Sequence, residues 1–219
     1  MQFDWTALNG NPLDQEISVR EETVDTGHCK VVGSTQACGG QAHFYMETQA
    51  CVAIPETADT IRLHPSSQSP MEMHTTAAAV LGVEQNHVKV QIHQVGGGYG
   101  GKTEQAKFVS AAAAVAANAT NRPIRLVMPR DNDTSLIGKR HPYYGQYQIA
   151  IDDGSADASN RGLIRGMDLT LFGDGGAFYD CSFVVANCIQ RRIDGAYNVA
   201  NFRSTLDVCR TTTAPNTAF

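Results

Sequence analysis

The sequence lacks several features that would assign it to a broad functional class. No CxxC pair occurs among its six cysteines, so their spacing predicts neither a zinc site nor an iron–sulfur cluster. No apolar run approaches the roughly 18 residues needed to cross a bilayer. The N-terminal stretch MQFDWTALNGNPLDQE has neither the basic start nor the apolar core of a signal peptide. We therefore expect a cytoplasmic protein with no membrane segment.

The overall composition is that of a globular chain. The 219 residues are 42% hydrophobic and 18% charged, which is typical of a chain that buries a core. A net charge of -5 argues against a broad nucleic-acid-binding surface. The cysteine spacing is typical of scattered free thiols, so any redox cofactor has to bind through other residues.

The hydrophobic pattern predicts an α+β protein of mixed strands and helices. Residues 1–28 are polar and weakly patterned, and we interpret them as a lead-in or the tail of a preceding domain. Ser69 and Pro70 supply a start for a helix over residues 70–81 and Gly82 a stop. The alanine-rich residues 104–118 predict a second helix. Strands are predicted at residues 43–54, 60–64, 87–95, 124–128, 145–151, 163–172 and 202–209, with a sub-boundary near residues 130–145.

The glycine loop, residues 96–102 (GGGYGGK), lies between a predicted strand and a predicted helix. Together with Thr103 it satisfies the phosphate-binding pattern GxxxxGK[ST], in which Lys102 would bind phosphate and Thr103 magnesium. Against this, about ninety residues precede the loop, and its five glycines suit a segment pressed against a bulky ligand. A nucleotide-binding loop and a glycine-rich turn without a ligand remain the alternatives on this segment alone.

Four segments together resemble the molybdopterin-binding large subunit of the xanthine dehydrogenase and aldehyde oxidase family. They are residues 39–48 (GGQAHFYMET), 96–102 (GGGYGGK), 140–142 (RHP) and 209–219 (CRTTTAPNTAF). The resemblance covers residues 29–219 and implies the first part of a mixed strand and helix molybdopterin-binding region.

The resemblance implies a set of cofactor-binding residues. The glycine loop of the family closes around the molybdopterin cofactor, which corresponds here to Gly97, Gly98, Tyr99 and Gly100. Tyr99 stands where the family usually has phenylalanine, so its hydroxyl needs a partner or water. Gln41 corresponds to a glutamine that is hydrogen-bonded to a molybdenum oxygen, a catalytic role that a neutral amide can fill without adding charge. No side chain is predicted to ligate the metal.

Three positions bear on the substrate. Purine-oxidising members have a glutamate directly after the glycine loop, where this chain has Thr103, and Glu104 comes one residue late. Their purine-orienting arginine corresponds to Cys188 in an ungapped count, although a gap could bring Arg191 into place. Loss of both charged groups favours an aldehyde-oxidase-like pocket.

Other polar residues are assigned structural roles. His43 and Glu47 would share one face of an extended strand, and His141 would anchor a turn before Pro142. The pair at residues 191–192 is predicted to be solvated or ion-paired.

The implied parent enzyme hydroxylates aldehydes or N-heterocycles with oxygen from water. The resemblance further implies a homodimer with iron–sulfur and flavin domains or subunits elsewhere, and a glutamate general base beyond Phe219. We therefore expect this chain to be a fragment that is inactive alone.

Overall fold

The computed structural model describes residues 15–20, 28–57 and 59–218. Its strands are β1 (Gln15–Arg20), β2 (Cys29–Cys38), β3 (Ala50–Pro55), β4 (Ile61–Pro65), β5 (Val88–Val90), β6 (Ile124–Val127), β7 (Lys139–Arg140), β8 (Tyr143–Asp152), β9 (Ile164–Gly176), β10 (Asn201–Arg210) and β11 (Asn216–Ala218). Its helices are α1 (Pro70–Leu81), α2 (Ala106–Thr120), α3 (Arg130–Leu136) and α4 (Ser182–Gln190). This mixed content confirms the α+β class.

The chain divides into two compact units. The first comprises residues 1–40 and 141–216, and the second comprises residues 41–140 and 217–219. The second unit contains a four-stranded sheet in the order β5-β4-β3-β6. Its core joins Leu63 and Cys51 of the sheet to Ala77 of α1 and Ala113 of α2. Small alanine side chains let both helices approach one face of this sheet closely.

The ends of α1 follow from local chemistry. Pro70 occupies the first turn, where its missing N–H costs no helical hydrogen bond. Gly82 adopts a left-handed conformation with φ of 67°, and its N–H returns to the carbonyls of Ala78 and Ala79. The structure therefore confirms the predicted helix over residues 70–81.

The first unit is built on a five-stranded sheet in the order β1-β10-β9-β8-β2. β9 and β10 run parallel, and α4 lies between them in the chain. Ala186 of α4 packs against Leu206 and Val208 of β10. β1, which belongs to the segment interpreted as a lead-in, pairs with β10 as the edge strand.

Several predicted elements were wrong in extent. Residues 43–49 form no strand, so His43 and Glu47 do not share a strand face, and β3 begins only at Ala50. The strand predicted over residues 87–95 is confined to Val88–Val90. The elements β2, α3 and α4 were not predicted. Within the described part of the chain, no helix is long and apolar enough to cross a membrane.

Candidate functional site

The glycine loop is held by two side chains that are distant in sequence. Glu47 Oε2 accepts from the N–H of Gly96 at 2.7 Å, and the Glu47 N–H donates to the Gly96 carbonyl at 3.2 Å. Gln68 Oε1 accepts from the N–H groups of Gly100 at 3.0 Å and Lys102 at 3.3 Å. Both ends of the loop are therefore fixed to residues 47 and 68.

The centre of the loop presents backbone donors that the chain itself leaves unused. Within residues 28–57 and 59–218, the N–H groups of Gly97, Gly98 and Tyr99 have no hydrogen-bond acceptor. Gly98 is buried, and the Tyr99 side chain is 66% exposed. Three consecutive unpaired donors can bind an anionic or oxygen-rich group.

Two glycines are required for different reasons. Gly97 has φ of 92°, a backbone conformation that residues other than glycine rarely adopt. Gly101 faces the imidazole of His43 so closely that an added Cβ would overlap the ring. The loop is therefore pressed against its own chain at Gly101. A bulky ligand is not needed to explain that glycine.

Lys102 is fully buried beneath the loop. Its Nζ donates to Ser66 Oγ at 2.7 Å and pairs with Glu47 Oε2 at 3.1 Å. It also lies 4.6 Å from the centre of the Tyr45 ring, a favourable cation–π position. Burial lowers the pKa of Lys102, and Glu47 opposes that shift. Burial also acts to raise the pKa of Glu47, but hydrogen bonds from Ser66, Gly96 and Lys102 hold it below its ordinary value.

These contacts do not support the nucleotide-binding alternative. Phosphate binding would need Lys102 to reach out of the loop, whereas its ammonium group is buried and paired. Thr103 Oγ1, the predicted magnesium ligand, donates instead to the Gly100 carbonyl at 2.8 Å. The GxxxxGK[ST] pattern in this chain therefore reflects a buried lysine that is paired with the partly exposed Glu47.

A second group of buried polar residues supports the loop from below. Gln49 Nε2 donates to the Gly101 carbonyl at 2.7 Å and to Tyr45 Oη at 3.2 Å. Asp133 Oδ1 accepts from the Gln49 N–H at 3.0 Å. Burial and the neighbouring Asp133 raise the pKa of Tyr45 well above its usual range. Tyr45 and Gln49 are fully buried, so this network fixes the position of the loop at Gly101.

Gln41 is oriented by Arg140. Arg140 Nη1 donates to Gln41 Oε1 at 2.9 Å, and the Arg140 N–H donates to the Gln41 carbonyl at 2.8 Å. Since a guanidinium group can only donate, the Gln41 amide must turn its oxygen to Arg140. Its Nε2 has no acceptor among the described residues. Arg140 belongs to β7, which pairs with β11 and so joins this residue to the Asn216–Ala218 segment.

Asp174 fixes the segment that leads into β11. Its carboxylate accepts from Thr211 Oγ1 at 2.6 Å, and its backbone carbonyl accepts from Asn216 Nδ2 at 2.9 Å. His141 is 2% exposed and shares a 2.8 Å hydrogen bond with Ser182 Oγ. Burial lowers the pKa of His141 to about 4, against the influence of Asp174. A neutral, buried His141 is a structural residue.

The predicted substrate residues fall in different places. Thr103 and Glu104 follow the loop just before α2, and Glu104 pairs with Lys107 at 2.7 Å. Cys188 lies on α4 in the first unit, where its carbonyl accepts from Arg192 Nη1. Among the described residues, no group of three or more His, Cys, Asp or Glu side chains could hold a metal ion.

Comparison with known proteins identifies the family. The model of the molybdopterin cofactor-binding domain matches residues 16–219. The chain belongs to this family. It is 38% identical over 182 residues to aldehyde oxidase 2 of Cavia porcellus, covering 83% of this chain and 13% of that protein. It is 33% identical over 218 residues to xanthine dehydrogenase/oxidase of Rattus norvegicus, covering 97% and 16%.

Solved structures agree on the fold of this molybdopterin cofactor-binding domain. The aldehyde oxidoreductase from Desulfovibrio desulfuricans superposes with a TM-score of 0.82 at 21% identity, over 98% of this chain and 24% of that one. Quinoline 2-oxidoreductase from Pseudomonas putida gives 0.75 at 22% identity, over 97% and 27%. The chain spans only 13–16% of the length of the two curated relatives named above.

The loop has donors suited to the family's cofactor. The unpaired N–H groups of residues 97–99 are neutral donors, as is the Nε2 amide of Gln41. A molybdopterin group is anionic and rich in oxygen and sulfur acceptors, so this donor set fits it without introducing a buried charge. Gly100 is not one of these donors, because its N–H is bonded to Gln68 Oε1. Its φ of 87° is a conformation that favours glycine at this turn of the loop.

Pattern analysis missed the residues that hold the loop. Gln68, Gln49, Asp133 and Arg130 carry no motif, and their partners are distant in sequence. Arg130 Nη2, for example, donates to the Tyr45 carbonyl at 2.6 Å across 85 positions. One signal was available, since a lysine ending a glycine-rich turn needs a counterion when it is buried. Glu47 lies in a segment that the resemblance had already singled out.

Proposed function

We propose that this domain forms one wall of a molybdenum-cofactor site in an enzyme that hydroxylates aldehydes or N-heterocycles with oxygen from water. The observation that carries the proposal is the set of unpaired donors at Gly97, Gly98 and Tyr99, held in place by Glu47 and Gln68. Family membership supplies the cofactor that suits these donors.

Gln41 is the residue of this chain that we assign to catalysis. Arg140 holds its amide oxygen, so its Nε2 would be available to donate to an oxygen of a bound cofactor. The amide carries no charge, and it would therefore stabilise negative charge on such an oxygen without a competing ion pair. When bound, the molybdenum cofactor supplies the site that accepts the electrons removed from the substrate.

The residues after the loop favour an aldehyde over a purine. Glu104 is paired with Lys107, and Thr103 is bonded to the Gly100 carbonyl, so neither supplies a free charge for a polar heterocycle. Cys188, the position that corresponds to the purine-orienting arginine in an ungapped count, has an uncharged thiol in place of a guanidinium group. Recognition of a purine depends on matched buried polar groups, and an apolar aldehyde does not need them.

The remaining functions of the parent protein lie outside this domain. Because the chain spans 13–16% of the two curated relatives named above, we propose that the 219 residues do not catalyse the reaction alone. We propose that a glutamate base, iron–sulfur clusters and a flavin come from other domains or subunits. We further propose that the parent protein is a cytoplasmic homodimer.

An isotope experiment on the full-length protein tests the reaction class. Turnover of an N-heterocycle such as quinoline in ¹⁸O-water, with an artificial electron acceptor, should place ¹⁸O in the hydroxylated product. An N-heterocycle is used because an aldehyde exchanges its carbonyl oxygen with water before turnover. The competing substrate is a purine such as hypoxanthine, for which we expect slower turnover. Product without ¹⁸O incorporation would overturn the use of water as oxygen source.

The role of Gln41 has its own test. Gln41→Ala should lower kcat by about a hundredfold, the usual effect of removing one oriented donor at a reacting oxygen. The bound pterin should remain, because the backbone donors are intact. Gln146→Ala, which changes an exposed glutamine on β8, is the matched control. Equal kcat for both variants would remove Gln41 from catalysis.

A further inference from the structure

The sheet of the second unit has an outer face that none of the preceding functions uses. α1 and α2 cover the face that carries Cys51 and Leu63. Neighbouring residues on a strand point to opposite faces, so Val52 and His64 point outwards. Val52 is paired with His64 on β4 and with Arg125 on β6. These three residues therefore form one row across the outer face.

The row lies in a pocket of about 210 Å³. The His93 ring stacks on the His64 ring, with their centres 5.6 Å apart and their planes 17° apart. Gln91 and Gln94 add amide groups to the lining, and Val52 lies between Arg125 and His64. Two strand spacings separate the backbones of Arg125 and His64, about 10 Å, a gap that their side chains can close around a small ligand.

Two of the three lysine and arginine side chains on the strands of this sheet are paired with a carboxylate. Glu56 binds Arg62 at 2.6 Å and Lys89 at 2.8 Å, which satisfies the two other cations on this sheet. Arg125 has no carboxylate partner within residues 28–57 and 59–218. The pocket therefore has an arginine whose charge the described chain does not neutralise.

One carboxylate lines the pocket, and its charge is already bound. Glu47 accepts from Ser66 Oγ at 2.6 Å, and it pairs with Lys102 and the Gly96 N–H. These contacts hold the pKa of Glu47 low against burial, so it stays ionised and committed to the loop. Its charge is compensated by Lys102, and the unpaired charge of the pocket is positive.

We propose that this pocket, lined by Arg125, His64 and His93, binds a phosphate-type oxyanion. A guanidinium group presents paired N–H donors that match two oxygens of one phosphate, and histidine ring and glutamine amide N–H groups can bind the others. The volume admits a phosphate with a few attached atoms. The pocket shares residues with the support of the glycine loop, but its existence does not rest on the proposed reaction. Glu47 and Ser66 line the pocket and also contact the loop residues Gly96 and Lys102.

Titration of the purified 219-residue chain with inorganic phosphate tests the proposal. Proton NMR of the histidine rings reports on the site, with chloride replaced by phosphate at constant ionic strength to remove general screening. Saturable shifts are expected for His64 and His93 and not for His87, which lies outside this pocket. Absence of saturation at both rings would overturn the proposal.

Charge-matched variants separate a built site from general attraction. Arg125→Gln should weaken phosphate binding by about fivefold or more, since it removes the charge-assisted hydrogen bonds. Arg122→Gln removes the same charge from an exposed turn next to β6 and should change the affinity less than twofold. Arg125→Lys should bind phosphate more tightly than Arg125→Gln but less tightly than wild type, because lysine keeps the charge but lacks the paired N–H donors of the guanidinium group. Equal weakening by Arg122→Gln and Arg125→Gln would overturn the proposal. Circular dichroism verifies that each variant is folded.

Discussion

Replacing Gly101 by alanine tests how tightly the glycine loop is packed on its own chain. An added Cβ would overlap the His43 ring, which is stacked on the fully buried Tyr45 with ring centres 5.1 Å apart. Because that stacking limits how far the ring can retreat, Gly101→Ala should lower the free energy of unfolding by about 1–3 kcal/mol, the usual cost of overpacking. Urea unfolding followed by circular dichroism measures the change.

A double-mutant cycle identifies the cause. In a His43→Ala background the ring is gone, and adding the Gly101 methyl group should cost less than about 0.5 kcal/mol. Gly39→Ala is the matched control, since no atom lies within 4 Å of its added Cβ, and it should stay within about 0.5 kcal/mol of wild type. An unchanged cost of Gly101→Ala in the His43→Ala background would refute the packing argument.

Three further changes probe the polar residues Gln68 and Glu47 at the loop and the buried His141. Gln68→Ala removes the acceptor for Gly100 and Lys102 and should lower the free energy of unfolding by about 1–2 kcal/mol, measured in urea. The pKa of Glu47 is lower in the folded protein than its ordinary value of 4.5, so the ionised carboxylate stabilises the fold at pH values above 4.5. This stability is lost as the pH falls through the lowered pKa, and the advantage of wild type over Glu47→Gln should therefore shrink in acid. His141 is buried in its neutral form, so wild-type stability should decrease as the pH falls from 6.5 to about 4, by up to about 1.4 kcal/mol per pH unit. Thermal melts of His141→Gln should lack this contribution to the pH dependence.

Each of these changes has a control in the same unit or residue type. Gln85→Ala alters a glutamine on an exposed turn and should leave stability within about 0.5 kcal/mol of wild type. Glu84→Gln and His87→Gln make the same substitutions at more exposed positions and should leave stability at neutral pH within about 0.5 kcal/mol of wild type. A Gln68→Ala variant as stable as Gln85→Ala would contradict the role of Gln68. An unchanged acid slope in His141→Gln would contradict the burial account for that residue.

Local chemistry made some elements predictable. α1 was predictable because Pro70 and Gly82 act through their own backbone restrictions, without help from distant residues. α4 was not, because its sequence SFVVANCIQ is rich in β-branched residues, and it becomes helical by packing on β10. Residues 43–49 look like a strand by composition, but their backbone is fixed by side chains such as Arg130.

The candidate site shows the same division. Gln41 and the glycine loop were named from residue patterns, and their roles in the cofactor site stay predictions. The contacts that shape the loop could not be predicted, because Glu47 and Gly96 are 49 positions apart and Gln68 and Gly100 are 32 apart. Lys102 is the instructive case. Its pattern fits a phosphate-binding loop, and only its burial beside Glu47 shows that its ammonium group is paired within the protein.

Molybdenum and pterin analysis of the full-length protein tests the central claim most directly. Elemental analysis of the purified protein, with pterin fluorescence after oxidative release, should give molybdenum and pterin in equimolar amounts with the polypeptide. Gly98→Pro, which removes one of the three unpaired backbone donors and also places its ring against the Gln68 side chain that holds the loop, should lower both together. A folded full-length protein that contains neither molybdenum nor pterin would contradict the claim that this domain forms a wall of a cofactor site.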